Sequence, residues 1–161
     1  MDRATLLIKR EATIACALHY EGTVYYSADG SDQSVIVASD DDPVLGFNCS
    51  GFIVELLRRV GLLSHNARPS ALGLYTEFQS RAVKGAPQQG DLIFFGKIEP
   101  DKEPAIGHVA IMVDDLHFME AGGGSRGTDT LAEAAKRNAF VRMRPVEFRE
   151  TERLAVCRIW E

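Results

Sequence analysis

The sequence lacks long apolar runs, clusters of basic residues and a leader-like N-terminus, and each absence excludes a class of protein. Its apolar stretches are a handful of residues long, whereas a helix that crosses a bilayer needs about 20. The net charge of -5 and the absence of a Lys/Arg cluster argue against nucleic-acid binding through bulk electrostatics. The N-terminus has no apolar core followed by a small-residue cleavage site, so we expect no secretory signal peptide.

Cysteine is also scarce, and the three present are Cys16, Cys49 and Cys157. Their number is odd and their spacing matches no zinc or redox motif, so a disulfide framework is not expected. Cys16 lies in a predicted helix and Cys157 in a predicted strand, where we expect both to fill the core. No cluster of His, Cys and Asp has the spacing of metal ligands, and we therefore expect neither a metal nor a cofactor.

What is present indicates one globular domain over residues 1–161. Apolar residues make up 45% of the chain and charged residues 25%, which are ordinary globular values. A domain of this size buries roughly 70% of the surface that its unfolded chain exposes. We find no internal repeat and no low-complexity segment.

Helical patterns dominate the first half of the chain and strand patterns the second. The periodicity predicts helices over 3–19, 49–60 and 70–80, with a short extended piece at 24–26. Residues 27–47 are rich in Ser, Asp and Gly and predict a long surface loop, in which the apolar Val35, Ile36 and Val37 could form one edge strand. Strands are predicted at 92–95, 108–113, 116–120, 140–144 and 154–160, with a helix at 130–138. Helices followed by strands indicate an α+β fold with an antiparallel sheet.

Cys49 occupies the first turn of the most regular predicted helix, which runs from the N-cap residue Asn48 to the terminating Gly61. Free backbone N–H groups and the helix dipole stabilise a thiolate at this position, and the thiolate is the reactive form of cysteine. The alternative is an inert core thiol, because free cysteine is among the most buried residue types. Similarly, His108 begins a predicted strand and is either a catalytic base or a structural histidine.

Three segments in the same order resemble the motifs of NlpC-type cell-wall cysteine peptidases, a papain-like family. The segment NCSGF at 48–52 is similar to the nucleophile motif DCSG plus an apolar residue. The segments QGDLIFF at 89–95 and GHVAI at 107–111 resemble the family strands PGDLVFF and SHVGI. In addition, EGTVY at 21–25 is similar to the GTPY stretch before the active site. The resemblance extends from about residue 10 to the C-terminus.

The resemblance implies a papain-like NlpC-type fold, with N-terminal helices and a nucleophile helix packed on a central antiparallel sheet. The resemblance implies that Cys49 is the nucleophile and His108 the base. Because the cysteine precedes the histidine in the chain, the circularly permuted relatives of the family fit poorly. The third polar residue, usually a histidine, falls at Glu120, where a glutamate could accept a hydrogen bond from the imidazole. A solvated strand-end carboxylate is the alternative, and His117 should point to the opposite face of its strand.

The resemblance also implies oxyanion or substrate-binding residues. Tyr25 matches the family tyrosine that lines the site, although Val24 replaces the usual proline. Asn48 replaces the family aspartate and, with Ser50, flanks the nucleophile; either Asn or Asp caps a helix well. Arg126, the only cation of the glycine-rich stretch 122–127, could bind a substrate carboxylate with two hydrogen bonds or remain idle in an exposed hairpin.

The implied activity is hydrolysis of an amide bond in peptidoglycan stem peptides or muropeptides, with the D-glutamyl–diamino acid bond favoured, through a covalent acyl-enzyme on Cys49. Two alternatives stay open: a non-catalytic peptide- or wall-binding module of the same fold, and an acyltransferase with the same Cys/His pair. The expected partner is a peptidoglycan-derived peptide, with no nucleic acid and no membrane. We expect a cytoplasmic protein, or one that a phage or a secretion system delivers to the cell wall.

Overall fold

The computed structural model describes residues 1–25, 34–38, 43–97, 105–125, 128 and 130–161. The helices are α1 Arg3–His19, α2 Cys49–Arg59, α3 Ala71–Phe78 and α4 Leu131–Arg137. The strands are β1 Val24–Tyr25, β2 Ser34–Ala38, β3 Pro43–Phe47, β4 Leu92–Lys97, β5 Ala105–Met112, β6 His117–Gly122, β7 Phe140–Pro145 and β8 Arg153–Cys157. This is the α+β architecture that the order of sequence patterns predicts.

Within the described residues the strands form one sheet in the order β2-β3-β1-β7-β6-β5-β4-β8. The central part, from β7 to β8, is antiparallel throughout. The pairing of β1 with β3 is parallel and lies towards one edge of the sheet. Strands β5 and β6 are joined by the tight turn predicted at 114–115, where Asp114 Oδ1 accepts the backbone N–H groups of Leu116 and His117.

The main core lies between the sheet and helices α1, α2 and α3. Helix α2 is nearly all buried, and Phe52, Ile53, Leu56 and Leu57 have no solvent exposure. Its side chains pack on β5 and β6, which places the N-terminus of the helix against the sheet. The helix begins after Asn48 and ends before Gly61, whose φ of +68° suits a residue without a side chain.

A smaller apolar cluster lies on the other side of the sheet, formed by Ile93, Phe95, Ala110, Met112 and Phe118. Because successive strand residues point to opposite faces, His108 shares a face with Ala110 and Met112. The aromatic rings of Phe95 and His108 are 5.6 Å apart, centroid to centroid. In the described part of the chain no helix is both long and apolar enough to cross a membrane.

The predicted helices and central strands are confirmed within one to three residues at most boundaries. The edge strand predicted around Val35–Val37 is confirmed as β2, but the prediction of a loop for residues 43–47 was wrong. Residues 34–38 and 43–47 form an antiparallel hairpin, with Ser34 opposite Phe47 and Ala38 opposite Pro43. Proline and glycine in the second of these segments concealed its strand character, which depends on pairing with β2 and β1. The last predicted strand is also shorter, because β8 ends at Cys157.

Candidate active site

Cys49 is the first residue of α2, where the backbone N–H groups have no partner within the helix. The side chain of Asn48 caps this end and accepts the N–H of Gly51 at 2.7 Å. The Sγ atom of Cys49 lies against β5, 3.8 Å from the carbonyl oxygen of Gly107. Helix α2 therefore presents the thiol directly to the strand that carries His108.

His108 and Glu120 meet where β5 and β6 separate. The two strands pair through Ile111 with Met119 and Met112 with Phe118, and no pairing between them continues towards His108 in this described region. The side chain of Glu120 crosses to β5, and its Oε2 lies 2.6 Å from Nε2 of His108. With Nε2 bound to the carboxylate, Nδ1 is the ring nitrogen left for the hydrogen bond between His108 and Cys49.

Glu120 is completely buried, in contrast to the solvated carboxylate that was the alternative. Two guanidinium groups reach it: Arg144 Nε at 3.3 Å from Oε1 and Arg149 Nε at 3.0 Å from Oε2. Burial raises the pKa of this carboxyl, but the hydrogen bond and charge of His108 and the charges of the two arginines lower it to about 2. Glu120 is therefore a permanent anion in the physiological pH range.

The electrostatics of the site favour a charged pair of thiolate and imidazolium. Burial raises the pKa of the Cys49 thiol, but contact with His108 and N–H donors from Ser50 and Val109 hold that pKa below its ordinary value. Burial lowers the pKa of His108, but its contacts with Cys49 and Glu120 raise it to about 9. Contact between the two side chains thus favours loss of the proton from Cys49 and its retention by His108.

The structure brings Cys49, His108 and Glu120 together, and it places the other predicted residues differently. The Ser50 hydroxyl is buried and donates to Asn48 Oδ1 at 3.3 Å, so both side chains serve the helix cap. The side chain of Tyr25 and the whole of Arg126 lie outside the described residues, and their roles stay predictions.

His117, as predicted, does not take the place of Glu120. Its Nδ1 lies 3.1 Å from both carboxylate oxygens of Asp114, in the exposed turn between β5 and β6. The described residues omit 26–33, 39–42, 98–104, 126, 127 and 129. Among those described, no group of three or more His, Cys, Asp or Glu side chains could hold a metal ion.

The sequence motifs give no indication that Arg144 and Arg149 belong to the site. Arg144 lies directly opposite Phe118 in the pairing of β6 with β7, two positions from the pair of Glu120 and Arg142. Arg149 follows in the turn after β7. The available signal was the alternation of Arg142 and Arg144 in a predicted strand, which puts both guanidinium groups on one face. Their relation to Glu120 depends on the pairing of β7 with β6, which the motifs do not reveal.

A thiol at a helix N-terminus, an imidazole on the adjoining strand and a carboxylate behind the imidazole resemble the side-chain arrangement of papain-like cysteine hydrolases. The sequence model of the NlpC/P60 family matches residues 22–145, which is most of the chain. The chain belongs to the NlpC/P60 family. No curated protein matches the sequence.

Solved structures with the same fold come from peptidoglycan hydrolases and related proteins. The peptidoglycan hydrolase RipB of Mycobacterium tuberculosis superposes with a TM-score of 0.69 and 26% identity, over 100% of this chain and 69% of RipB. The P60 domain of an antigen of Mycobacterium avium subspecies paratuberculosis superposes with a TM-score of 0.65 and 24% identity, over 97% of this chain and 98% of that domain. RipD of Mycobacterium tuberculosis is a non-catalytic NlpC/P60 domain protein adapted to peptidoglycan binding. It superposes with a TM-score of 0.63 and 21% identity, over 94% of this chain and 97% of RipD. The family thus includes both hydrolases and a binding protein.

Proposed function

We propose that this protein is a cysteine hydrolase that cuts amide bonds in peptidoglycan stem peptides or muropeptides. The observation that carries the proposal is the continuous line of contacts from Cys49 through His108 to the buried carboxylate of Glu120. A protein that only binds peptide has no use for a thiol with a lowered pKa beside an imidazole with a raised one. The similarity to RipB supports the substrate class.

The reaction begins with attack of the Cys49 thiolate on the carbonyl carbon, which forms a C–S bond and moves an electron pair to the carbonyl oxygen. We assign the backbone N–H of Cys49, the first residue of α2, as a donor to that oxyanion. The tetrahedral intermediate collapses when the C–N bond breaks and Nδ1 of His108 gives its proton to the leaving amine. Glu120 keeps the imidazole oriented during this transfer.

The acyl-enzyme is then hydrolysed by the same groups in reverse roles. Neutral His108 removes a proton from water, and the water oxygen forms a bond to the acyl carbon. Collapse of the second tetrahedral intermediate breaks the C–S bond, returns Cys49 to its thiolate and releases a carboxylic acid. His108 is again an imidazolium, held by Glu120. The favoured bond, by family resemblance, is the one between D-glutamate and the diamino acid.

Defined muropeptides and mass spectrometry of the products test the proposal. The wild-type protein should release a fragment that begins with the diamino acid, and Cys49→Ala and His108→Ala should each lower turnover by at least about 100-fold. Addition of a soluble amine separates hydrolysis from acyl transfer, because a transferase would form the new amide. Peptide binding without any cleavage by the wild-type protein would refute the proposal and favour a binding module like RipD.

A further inference from the structure

Glu120 has more positive charge around it than the orientation of one imidazole requires. The carboxylate is inaccessible to solvent and receives Nε2 of His108 from β5, Nε of Arg144 from β7 and Nε of Arg149 from the turn that follows. Arg142 also lies near enough on β7 to feel the charge of Glu120, although no hydrogen bond joins them. A buried carboxylate with a single partner would be costly, but two additional guanidinium groups exceed that need.

The two arginines bind different oxygen atoms of the Glu120 carboxylate. Arg144 binds Oε1 at 3.3 Å, while Arg149 binds Oε2, the oxygen that also contacts His108. Since both oxygens have a cationic donor from the β7 side, the carboxyl group cannot rotate without loss of an ion pair. Oε2 therefore stays aimed at Nε2 of His108.

Both guanidinium groups are held in place by further contacts. The ring centroid of Phe148 lies 4.0 Å from the guanidinium carbon of Arg144 and 5.6 Å from that of Arg149. Arg149 also donates through Nη1 to Glu152 at 3.2 Å. Glu152 in turn lines a cavity beside His108. The arginines are thus anchored elements of the site and not mobile surface side chains.

We propose that Arg144 and Arg149 are positioning residues that keep Glu120 ionised and fixed, so that His108 has a constant hydrogen-bond acceptor from mildly acidic to neutral pH. This inference rests on the proposed function, in which His108 transfers protons. Without the two cations, mainly His108 would oppose the effect of burial, so Glu120 would take up a proton at a higher pH than in the wild-type protein. Among the described residues, the charges that act on Glu120 are those of His108, Arg142, Arg144 and Arg149, and Glu152 lies beyond Arg149.

The test compares Arg144→Gln, Arg149→Gln and the double variant with Arg153→Gln. Arg153 is a matched control because its side chain is 27% exposed, against 25% and 24% for Arg144 and Arg149, but it pairs with Glu150 instead of Glu120. In the double variant, kcat/KM for a muropeptide should fall about tenfold or more at mildly acidic pH and less at neutral pH. The acid limb of the pH profile should therefore move to higher pH, whereas Arg153→Gln should leave it in place.

A second readout does not depend on hydrolysis. The proton on Nε2 of His108, bonded to a carboxylate, should give a downfield proton NMR resonance that persists in acid in the wild-type protein and disappears at mildly acidic pH in the double variant. If the wild-type protein cleaves no peptide, the proposed function fails while this resonance still tests the positioning role. A resonance with the same pH dependence in both proteins would overturn the inference.

Two further variants separate a positioning role from a merely structural one. Arg144→Lys and Arg149→Lys keep the charge, so their acid limbs should stay close to that of the wild type even if their stability falls. In a Glu120→Gln background the arginine substitutions should cost little additional activity, because the amide cannot ionise. An equal loss at every pH, an equal shift in the lysine variants, or full additivity with Glu120→Gln would each contradict the proposal.

Discussion

At the residue scale, the three thiols of this chain differ in their surroundings although they are chemically identical. Cys157 is completely buried, and burial raises its pKa to about 11. Burial also raises the pKa of Cys16, beside Glu55 and Arg59. All three cysteines lie in the described residues, and Cys49 is the one whose pKa is lowered. Position at a helix N-terminus beside an imidazole explains the difference.

Iodoacetamide at mildly acidic pH should therefore alkylate Cys49 before Cys16 and Cys157. A thiol with a lowered pKa is deprotonated at a pH where the other two thiols are protonated. The ratio of its alkylation rate to theirs should therefore grow as the pH falls. Peptide mapping by mass spectrometry gives the order of modification. His108→Ala should reduce the selectivity, since the imidazolium that stabilises the thiolate is removed. Preferential labelling of Cys16 or Cys157 in the folded protein would exclude Cys49 as the nucleophile.

At the scale of the element, helix α2 depends on its cap for both stability and reactivity. Asn48→Ala removes the acceptor of the Gly51 N–H and should cost about 1 kcal/mol of unfolding free energy. It should also slow alkylation of Cys49, because the first turn frays and the ordered N–H groups near the thiol are lost.

Ser70→Ala provides the matched control for Asn48→Ala. Ser70 caps α3 through the N–H of Gly73, far along the chain from Cys49. Its loss should lower stability by a similar amount but leave the rate of Cys49 alkylation unchanged. Denaturant unfolding and alkylation kinetics measure the two effects. Equal alkylation rates in both variants would show that the cap of α2 has no influence on the thiol.

Strand β6 leaves no room for a side chain at Gly122, next to the carboxylate of Glu120. A Cβ atom built there would lie 2.8 Å from Oε1 of Glu120, closer than van der Waals contact permits. Because the carboxylate is held by His108, Arg144 and Arg149, it cannot move aside freely. Gly122→Ala should therefore displace Glu120 from His108.

The expected result of Gly122→Ala is a loss of kcat of at least about tenfold with a smaller change in KM, as for a change that affects proton transfer. Gly85→Ala is the control, because a Cβ atom at Gly85 meets nothing within 4 Å. It should leave both constants within about twofold of the wild type. Unchanged kcat in Gly122→Ala would mean that the exact position of Glu120 is unimportant for turnover.

At the scale of the whole molecule, the buried charges link stability to pH. The pKa of Glu120 is lowered from its ordinary 4.5 to about 2, so its contribution is complete above pH 4.5 and is lost as the pH falls towards 2. The pKa of His108 is raised from 6.5 to about 9, so its contribution is complete below pH 6.5 and is lost as the pH rises through 9. The ion pairs of Glu120 and His108 therefore stabilise the fold most between pH 4.5 and 6.5.

We expect the difference in unfolding free energy between the wild type and Glu120→Gln to be largest between pH 4.5 and 6.5 and to shrink below 4.5. Denaturant unfolding at a series of pH values measures it. Glu150→Gln, which removes an exposed carboxylate paired with Arg153, should change stability by less than about 0.5 kcal/mol at any pH. A constant difference across the acid range would show that Glu120 is not the linked group.

Much of the fold could be predicted because its elements carry local signals. Helix α2 has an apolar face between an N-cap and a terminating glycine, and β4, β5 and β6 are apolar runs around a tight turn. Strand β3 and its pairing with β2 could not be predicted, because segment 43–47 contains proline and glycine and becomes a strand through its partners on both sides. Local preference indicates a strand only when its own residues favour one.

The sequence by itself indicated Cys49 and His108 as the candidate catalytic pair, through motifs that resemble a known family and the position of Cys49 at a helix N-terminus. It also indicated Glu120, because matching without gaps from His108 puts the third polar residue of the resembled family at that position. Only the tertiary structure decided that this carboxylate is buried, that it reaches His108 across separated strands and that Arg144 and Arg149 bind it. Charge and burial depend on distances between residues far apart in the chain, and those distances exist only after the sheet has formed.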